Sequence, residues 1–366
     1  MRESKCQKSN NINNVNISIN VQKLKTPFRD NYNCMVYIYR MSFLASKTTT
    51  PLMQTAKATQ RKISTVAPAG LDRFMKQHEN VIPVDASWYM PNVPMNAYTE
   101  YMKSRIENAV FFDIEAVKDN SSKYPHMLPT KEVFEQEVRS LGIKNDSDIL
   151  FYDQQGVFSL CRAAWMFEIF GHDPSKLHIL NTYPAYAKNH ADPNLVMVVH
   201  NLKTIMDRNI ATSKSPHPES EYVATFDPSK VITYEQLLKL VQEDKIGTEY
   251  TLVDARSTLR FTGEAPEPRK GLSSGHIKNA INLPFTELLT PEKALLSSMS
   301  ITNILKERGI DESKPIIVMC GTGVTACVVR AAMQLVGFDS SKIAVYDGSW
   351  TEWAMRAPKS LIVKDV

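Results

Sequence analysis

No apolar run in the 366 residues approaches the roughly 18 needed to cross a bilayer, so a membrane-embedded body is not expected. Cysteine is scarce. The five are Cys6, Cys34, Cys161, Cys320 and Cys327, and their scatter gives neither a disulfide framework nor a metal-ligand spacing, which points to a reducing compartment and no metal site. Acidic side chains are missing altogether between Asp30 and Asp72. Residues 1–63 hold 11 Lys/Arg against 2 Asp/Glu, which leaves 32 basic and 37 acidic groups over the rest of the chain. The folded part is therefore mildly acidic, against a body that binds nucleic acid directly.

The acid-free segment has a pattern of its own. From Met41 onward, Lys47, Lys57, Arg61 and Lys62 are interspersed with Ser, Thr, Ala and Leu, as in a mitochondrial matrix presequence, and Arg61-Lys62-Ile63-Ser64 resembles a cleavage site after Ile63. Met1 to Arg40 is rich in Asn and unlike a targeting signal, so Met41 competes with Met1 as the working start, which would also give a cytoplasmic form. A merely disordered tail is the alternative for 1–63.

What is present is concentrated in Pro315–Gly337, PIIVMCGTGVTACVVRAAMQLVG. Ile316 to Met319 suit a buried parallel strand, and Val324, Val328, Val329, Ala332, Met333 and Val336 recur at helical spacing. Cys320 thus falls where strand hands over to helix, with Gly321 and Gly323 free to curl the backbone round it. In that position loop amides and a helix N-terminus would favour thiolate over thiol. An inert core cysteine is the competing reading. A phosphatase loop, also an anion cradle, requires arginine six residues after the cysteine; Ala326 stands there.

The chain also repeats itself. Val84-Asp85-Ala86 returns as Val253-Asp254-Ala255, and Ile149 to Gly156 (ILFYDQQG) aligns with Ile316 to Gly323 (IIVMCGTG). Alternating strand and helix signals in each half predict an α/β fold of two tandem units, each a mainly parallel sheet flanked by helices, with sites at the carboxyl ends of strands. Asp153 stands where the second half has Cys320, so the first half reads as catalytically silent. The expected division is a leader over 1–63, a first domain over 71–207, a polar linker over 208–229 and the catalytic domain over 230–366. Cys161 and Cys327 read as core.

These residues resemble the two-domain rhodanese superfamily from about Leu71 onward. The loop CGTGVT is similar to the CG[ST]GVT of 3-mercaptopyruvate sulfurtransferases, whereas thiosulfate-specific members usually carry CRKGVT; VDASWYMP, FFDIE, YPHMLP, SGHIKNAINLPF and YDGSWTEW are further landmarks. The resemblance implies a Cys320 persulfide, with Arg260 and Arg269 gripping a carboxylate and keto oxygen, and Gly321, Gly323, Val324 and Thr325 completing the substrate loop. It also implies a relay of Glu115, His126 and Thr322 moving a proton, and a structural role for Arg256, for His276 and for Trp350 and Trp353. The implied donor is 3-mercaptopyruvate and the acceptor thioredoxin, a small thiol or cyanide, without an organic cofactor. Thiosulfate sulfurtransfer and a sulfur-relay protein serving tRNA thiolation are the alternatives.

Overall fold

Residues 62–78, 80–189 and 215–366 are described in the computed structural model. The leader apart from Lys62 and Ile63, and the first seven residues of the expected linker, lie outside them. Ile63 is itself buried against the core, so cleavage after it would remove a packed side chain.

Two sheets of identical plan carry the chain. In the first, β1 (Ser64–Val66), β2 (Val81–Asp85), β3 (Val110–Phe111), β4 (Asp148–Tyr152) and β5 (Leu177–Leu180) lie in the order β1-β5-β4-β2-β3. In the second, β6 (Val231–Ile232), β7 (Thr251–Asp254), β8 (Ile281–Asn282), β9 (Ile316–Met319) and β10 (Ile343–Tyr346) repeat it as β6-β10-β9-β7-β8. Every pairing is parallel. The central strands β4 and β9 are covered on both faces, which is why they read as unbroken apolar runs rather than alternating ones.

Helices α1 (Leu71–Gln77), α2 (Ala97–Lys103), α3 (Lys131–Ser140), α4 (Leu160–Ile169) and α5 (Tyr183–Asn189) flank the first sheet. Their counterparts are α6 (Tyr234–Gln242), α7 (Thr258–Thr262), α8 (Ser298–Glu307), α9 (Ala326–Leu335) and α10 (Ser349–Arg356). Side chains cap four of them: Asn96 caps α2, Thr130 caps α3, Thr233 and Gln236 form a capping box on α6, and Ser297 caps α8. The helices that follow the two central strands, α4 and α9, have no such cap. Their N-terminal amides are left to the loops before them.

The expected linker is not a free tether where it is described. Tyr222 is fully buried, and the amides of Ser220, Thr225 and Asp227 donate to carbonyls of Arg139, Phe170 and Ile169, which lays the segment along the first half.

The halves share a core. Helices α4 and α9 pack against each other, and a single apolar cluster runs from Leu160 and Phe167 to Val328 and Met333. Within that contact Arg330 makes a bidentate pair with Glu168, at 2.6 and 2.9 Å, joined by Lys230 at 2.9 Å and Gln334 at 3.1 Å. Burial alone would push the Glu168 carboxyl up, but Arg330 and Lys230 outweigh it and hold it at about 2. A depressed carboxylate stabilises the fold above its ordinary value and loses that contribution as pH falls towards its folded value. The wild-type chain should therefore lose stability between pH 4.5 and about 2 through this group, and Glu168→Gln should flatten the dependence in that window. Equal slopes of unfolding free energy against pH would show that the pair is not coupled to folding. Glu168→Ala, which strands Arg330, should cost about 3–5 kcal/mol in urea unfolding.

Candidate active site

Cys320 is the first residue past β9, at the carboxyl edge of the second sheet. The start of α10 shapes its loop. The amides of Trp350 and Thr351 donate to the carbonyls of Cys320 and Gly321, at 2.9 and 3.0 Å, and Thr351 Oγ1 adds a bond of 2.8 Å to Gly321. With those carbonyls drawn to one side, the following amides turn to the other. Gly323 completes the curl at φ 77°, where a Cβ would stand 2.8 Å from the Asp347 carbonyl and 2.9 Å from Arg162 Nη1. Among the described residues, no acceptor faces the backbone amides of Gly321, Thr322, Gly323, Val324 or Thr325. Buried amides are almost always paired, so this is a cradle for a negative charge near the sulfur.

The first half supplies the comparison. Its equivalent loop carries Asp153, whose carboxylate accepts from the amides of Gln155 at 3.0 Å and Ser159 at 2.8 Å, and from Ser159 Oγ at 2.6 Å. Gln154 N donates to Ser87 Oγ, Gly156 N to the Asp153 carbonyl, and Val157 N to the Lys293 carbonyl. Of the five amides that follow Asp153, only that of Phe158 has no acceptor among the described residues. Burial nonetheless pushes the Asp153 carboxyl up to about 7, against the bonds from Ser159 and Gln155, so desolvation wins there even inside an amide cradle.

A chain of polar groups reaches the Cys320 loop from the first half. Glu115 Oε1 lies 2.8 Å from His126 Nε2, and His126 Nδ1 lies 3.1 Å from Thr322 Oγ1. Glu115 also accepts from Trp88 Nε1 at 2.8 Å and Lys118 Nζ at 2.7 Å. The His126 bond comes first in holding Glu115 well below the usual carboxylate range, with Lys118 adding to it. An ionised carboxylate can only accept, so Nε2 carries the proton and Nδ1 accepts from the Thr322 hydroxyl. Burial lowers the His126 pKa, opposed by Glu115, which keeps the ring neutral near neutral pH. Its backbone sits at φ 60°, and its carbonyl is held by Arg162 Nη2.

The two arginines differ. Arg260 Nη2 stands 3.1 Å from where a Gly321 Cβ would be, so it roofs the loop, but its Nε is 3.2 Å from both oxygens of Glu267 and its Nη2 also binds that carboxylate. Arg269 has no hydrogen-bond or ion-pair partner among the described residues. Burial draws its guanidinium below the ordinary range, while Glu115 opposes, Arg260 reinforces and Cys320 opposes the shift. Cys320 is 2% exposed under this cover. The 480 Å³ cavity nearby lies beyond Asp347 and Gly348 and does not include it.

Thus Cys320, Gly321, Thr322, Gly323, Val324 and Thr325 form one loop, Thr322, His126 and Glu115 form one bonded chain ending on it, Arg260 lies against it, and Arg269 is near enough to feel the charges of Cys320 and Arg260. Sequence reasoning missed Arg162, Asp347, Ser349, Trp88 and Glu267. Arg162 is 1% exposed, with Nη1 3.4 Å from the Gly323 carbonyl and Nη2 2.7 Å from Asp347 Oδ1; its one signal is a charge inside the apolar run LCRAAW. Ser349 Oγ accepts from Cys320 N at 3.1 Å. Arg256 binds Asp254 and Glu267 and stacks on Trp350, and His276 stacks on Phe261. Trp350 and Trp353 are buried in the core beneath α10. Cys161 and Cys327 are buried, and burial raises the Cys327 thiol to about 12.

Residues 233–356 match the model of the rhodanese-like domain. The thiosulfate sulfurtransferase TUM1 of Saccharomyces cerevisiae is 34% identical over 78% of this chain and 92% of its own length, and its crystal structure superposes with a TM-score of 0.73 over 83% of this chain and 98% of that one. Mouse 3-mercaptopyruvate sulfurtransferase is 37% identical over 77% of this chain and 88% of its own. A sulfur transferase subunit of yeast mitochondrial complex I, solved by cryo-EM, is 39% identical with a TM-score of 0.70, covering 83% and 100% of the two chains. Parallel sheets in tandem, a cysteine loop on one of them and these relatives define a single class: the chain belongs to the two-domain rhodanese family of thiosulfate/3-mercaptopyruvate sulfurtransferases.

Thr322→Val keeps the shape and removes the hydroxyl that meets His126. Its kcat should fall by roughly 100-fold, the lower end of general acid–base contributions, and Thr322→Ser should restore most of it. A Val variant as fast as wild type would remove the hydroxyl from the reaction.

Proposed function

We propose that the chain moves the sulfur of 3-mercaptopyruvate to a thiol acceptor through a persulfide on Cys320. The observation that carries this reading is the set of unpaired amides around Cys320 in a loop whose twin in the first half is closed by Asp153. The substrate preference rests on charge. A dianion such as thiosulfate calls for cations in the loop itself, and Gly321 and Thr322 supply none, whereas Arg269 without a partner and Arg260 at the rim suit a monoanionic 2-keto carboxylate. Arg260 would first exchange its Glu267 contact, or share it, as substrate settles.

In the first step the Cys320 thiolate attacks the substrate sulfur, the carbon–sulfur bond breaks, and its electrons leave with the three-carbon fragment as pyruvate enolate. The proton of the substrate thiol is the one the enolate needs at carbon, and the hydroxyl of Thr322 with neutral His126 offers a short path for it. In the second step an acceptor thiolate takes the outer sulfur and Cys320 leaves as thiolate. Thioredoxin, small thiols and cyanide are the acceptors in this reading. The basic, acid-free leader supports delivery to the mitochondrial matrix, with a cytoplasmic form if both start codons serve.

Thiosulfate is the alternative donor, favoured by the naming of the yeast relative. Purified full-length chain given each donor separately should show the higher kcat/KM for mercaptopyruvate; a preference for thiosulfate would reverse the assignment. Cys320→Ser should abolish pyruvate release, and measurable turnover above the buffer rate would exclude the persulfide route. Replacing Gly321-Thr322 by Arg-Lys should move the ratio of the two kcat/KM values towards thiosulfate by roughly tenfold or more, the scale of one charge contact of about 1.4 kcal/mol.

A further inference from the structure

At the amino edge of the first sheet, across the strands from the Asp153 loop, three potential ligands converge that no step above uses. His178 Nε2 lies 3.1 Å from Asp148 Oδ1, and His78 Nδ1 lies 3.6 Å from the same oxygen. All three ligand atoms fall within 4.8 Å of one another. We propose that His78, Asp148 and His178 bind a divalent transition-metal ion, zinc above all, as a site separate from the sulfur chemistry.

Tetrahedral zinc with ligand bonds near 2.0–2.1 Å sets its donors roughly 3.3 Å apart. Two of the three separations already bracket that value. The third closes by turning the side chain of His78, which is 37% exposed and belongs to the residue that ends α1, so it has room to move. The other two donors are fixed by register, since Asp148 opens β4 and His178 lies on the neighbouring β5.

The surroundings are those of a built metal site. Ser64 Oγ is 2.7 Å from His178 Nδ1, an outer contact that orients the ring. The hydroxyl can donate when Nε2 carries the proton towards Asp148 and accept when Nε2 binds metal and the proton moves to Nδ1. Phe74 stacks on His78 at 4.3 Å and meets His178 edge-on at 4.8 Å, walling one side from water. Lys176 Nζ sits 3.3 Å from Asp148 Oδ2, the oxygen the metal does not need, and is exposed enough to swing aside. Two imidazoles and a carboxylate leave a fourth position for water, and suit zinc and its late first-row neighbours rather than magnesium or calcium.

The test uses the full chain with Cys320→Ser, so that the sulfur site cannot take the ion. Zinc titrated against a chromophoric chelator should fill one equivalent more in this chain than in the same chain carrying His78→Ala or Asp148→Asn. Ser64→Ala should keep the equivalent and weaken it roughly tenfold, as outer contacts do. Cobalt in place of zinc should give visible d–d bands without sulfur-to-metal charge transfer, and zinc should raise the melting temperature of the parent more than that of His78→Ala. Equal zinc equivalents at equal affinity in parent and both variants, or a cobalt spectrum unchanged by His78→Ala, would overturn the proposal.

Discussion

The arrangement around the cysteine loop hangs on one buried cation. Arg162 belongs to α4 of the first half, yet its guanidinium touches the carbonyl of His126, the carbonyl of Gly323 and the carboxylate of Asp347 at once. The contact with Asp347 Oδ1 is an ion pair by distance, while Asp347 Oδ2 accepts from the Leu128 amide at 2.8 Å. A charge taken out of water is tolerable only when its partners are complete. Those partners come from both halves of the chain, so Arg162 is satisfied only when the halves are docked. Docking in turn fixes the left-handed turn that carries His126 and the left-handed glycine that curls the loop. Neither half alone contains the site.

That dependence bears on how a repeat can keep two copies of one fold with a different loop in each. Lys293 in the second half has φ 59° and presses its carbonyl and Cβ against Gly156, just as His126 in the first half has φ 60° and reaches the Gly323 loop. The backbone devices are duplicated; the side chains are not. In one loop Asp153 and its neighbours take up four of the five amides that follow it. In the other, Cys320 is too short and too weak an acceptor to do so. The same amide geometry therefore closes one site and exposes donors in the other. Symmetry in the fold is what makes this difference visible as a difference of single residues.

Much of this was legible in the chain. The apolar run into Cys320, with Gly323 three residues on, fixes a strand, a tight turn and a helix, because a buried central strand and a positive φ leave few other residue choices. The 167-residue offset between ILFYDQQG and IIVMCGTG carries over into two sheets of the same strand order. Arg162, Glu267 and Asp347 were not legible, since each is defined by a partner brought near only by docking or by loop closure. The stretch holding Tyr222 reads as polar linker because its composition is polar; what seats it is backbone hydrogen bonding to Arg139, Phe170 and Ile169, which side-chain composition does not record. The place of Arg260 beside Gly321 was hidden for the same reason, since its reach depends on how α7 lies.

The cover has a consequence for how a substrate can engage. Arg260 is held by Glu267, and Glu267 is shared with Arg256, which is itself locked to Asp254 beneath the sheet edge. Moving Glu267 away would break its bond to buried Arg256 as well as its hold on Arg260, leaving Arg256 with Asp254 and the Gly275 carbonyl. Moving Arg260 leaves Glu267 with Arg256 and exposes only a cation that has solvent within reach. The cheaper opening is therefore a swing of the Arg260 side chain alone. In the proposed reading, an arriving carboxylate would compete with Glu267 for that one guanidinium, while Arg269, without a partner among the described residues, would give it a second hold. In this geometry the acid that restrains Arg260 also aims it, because releasing one contact leaves the rest of the pairs intact.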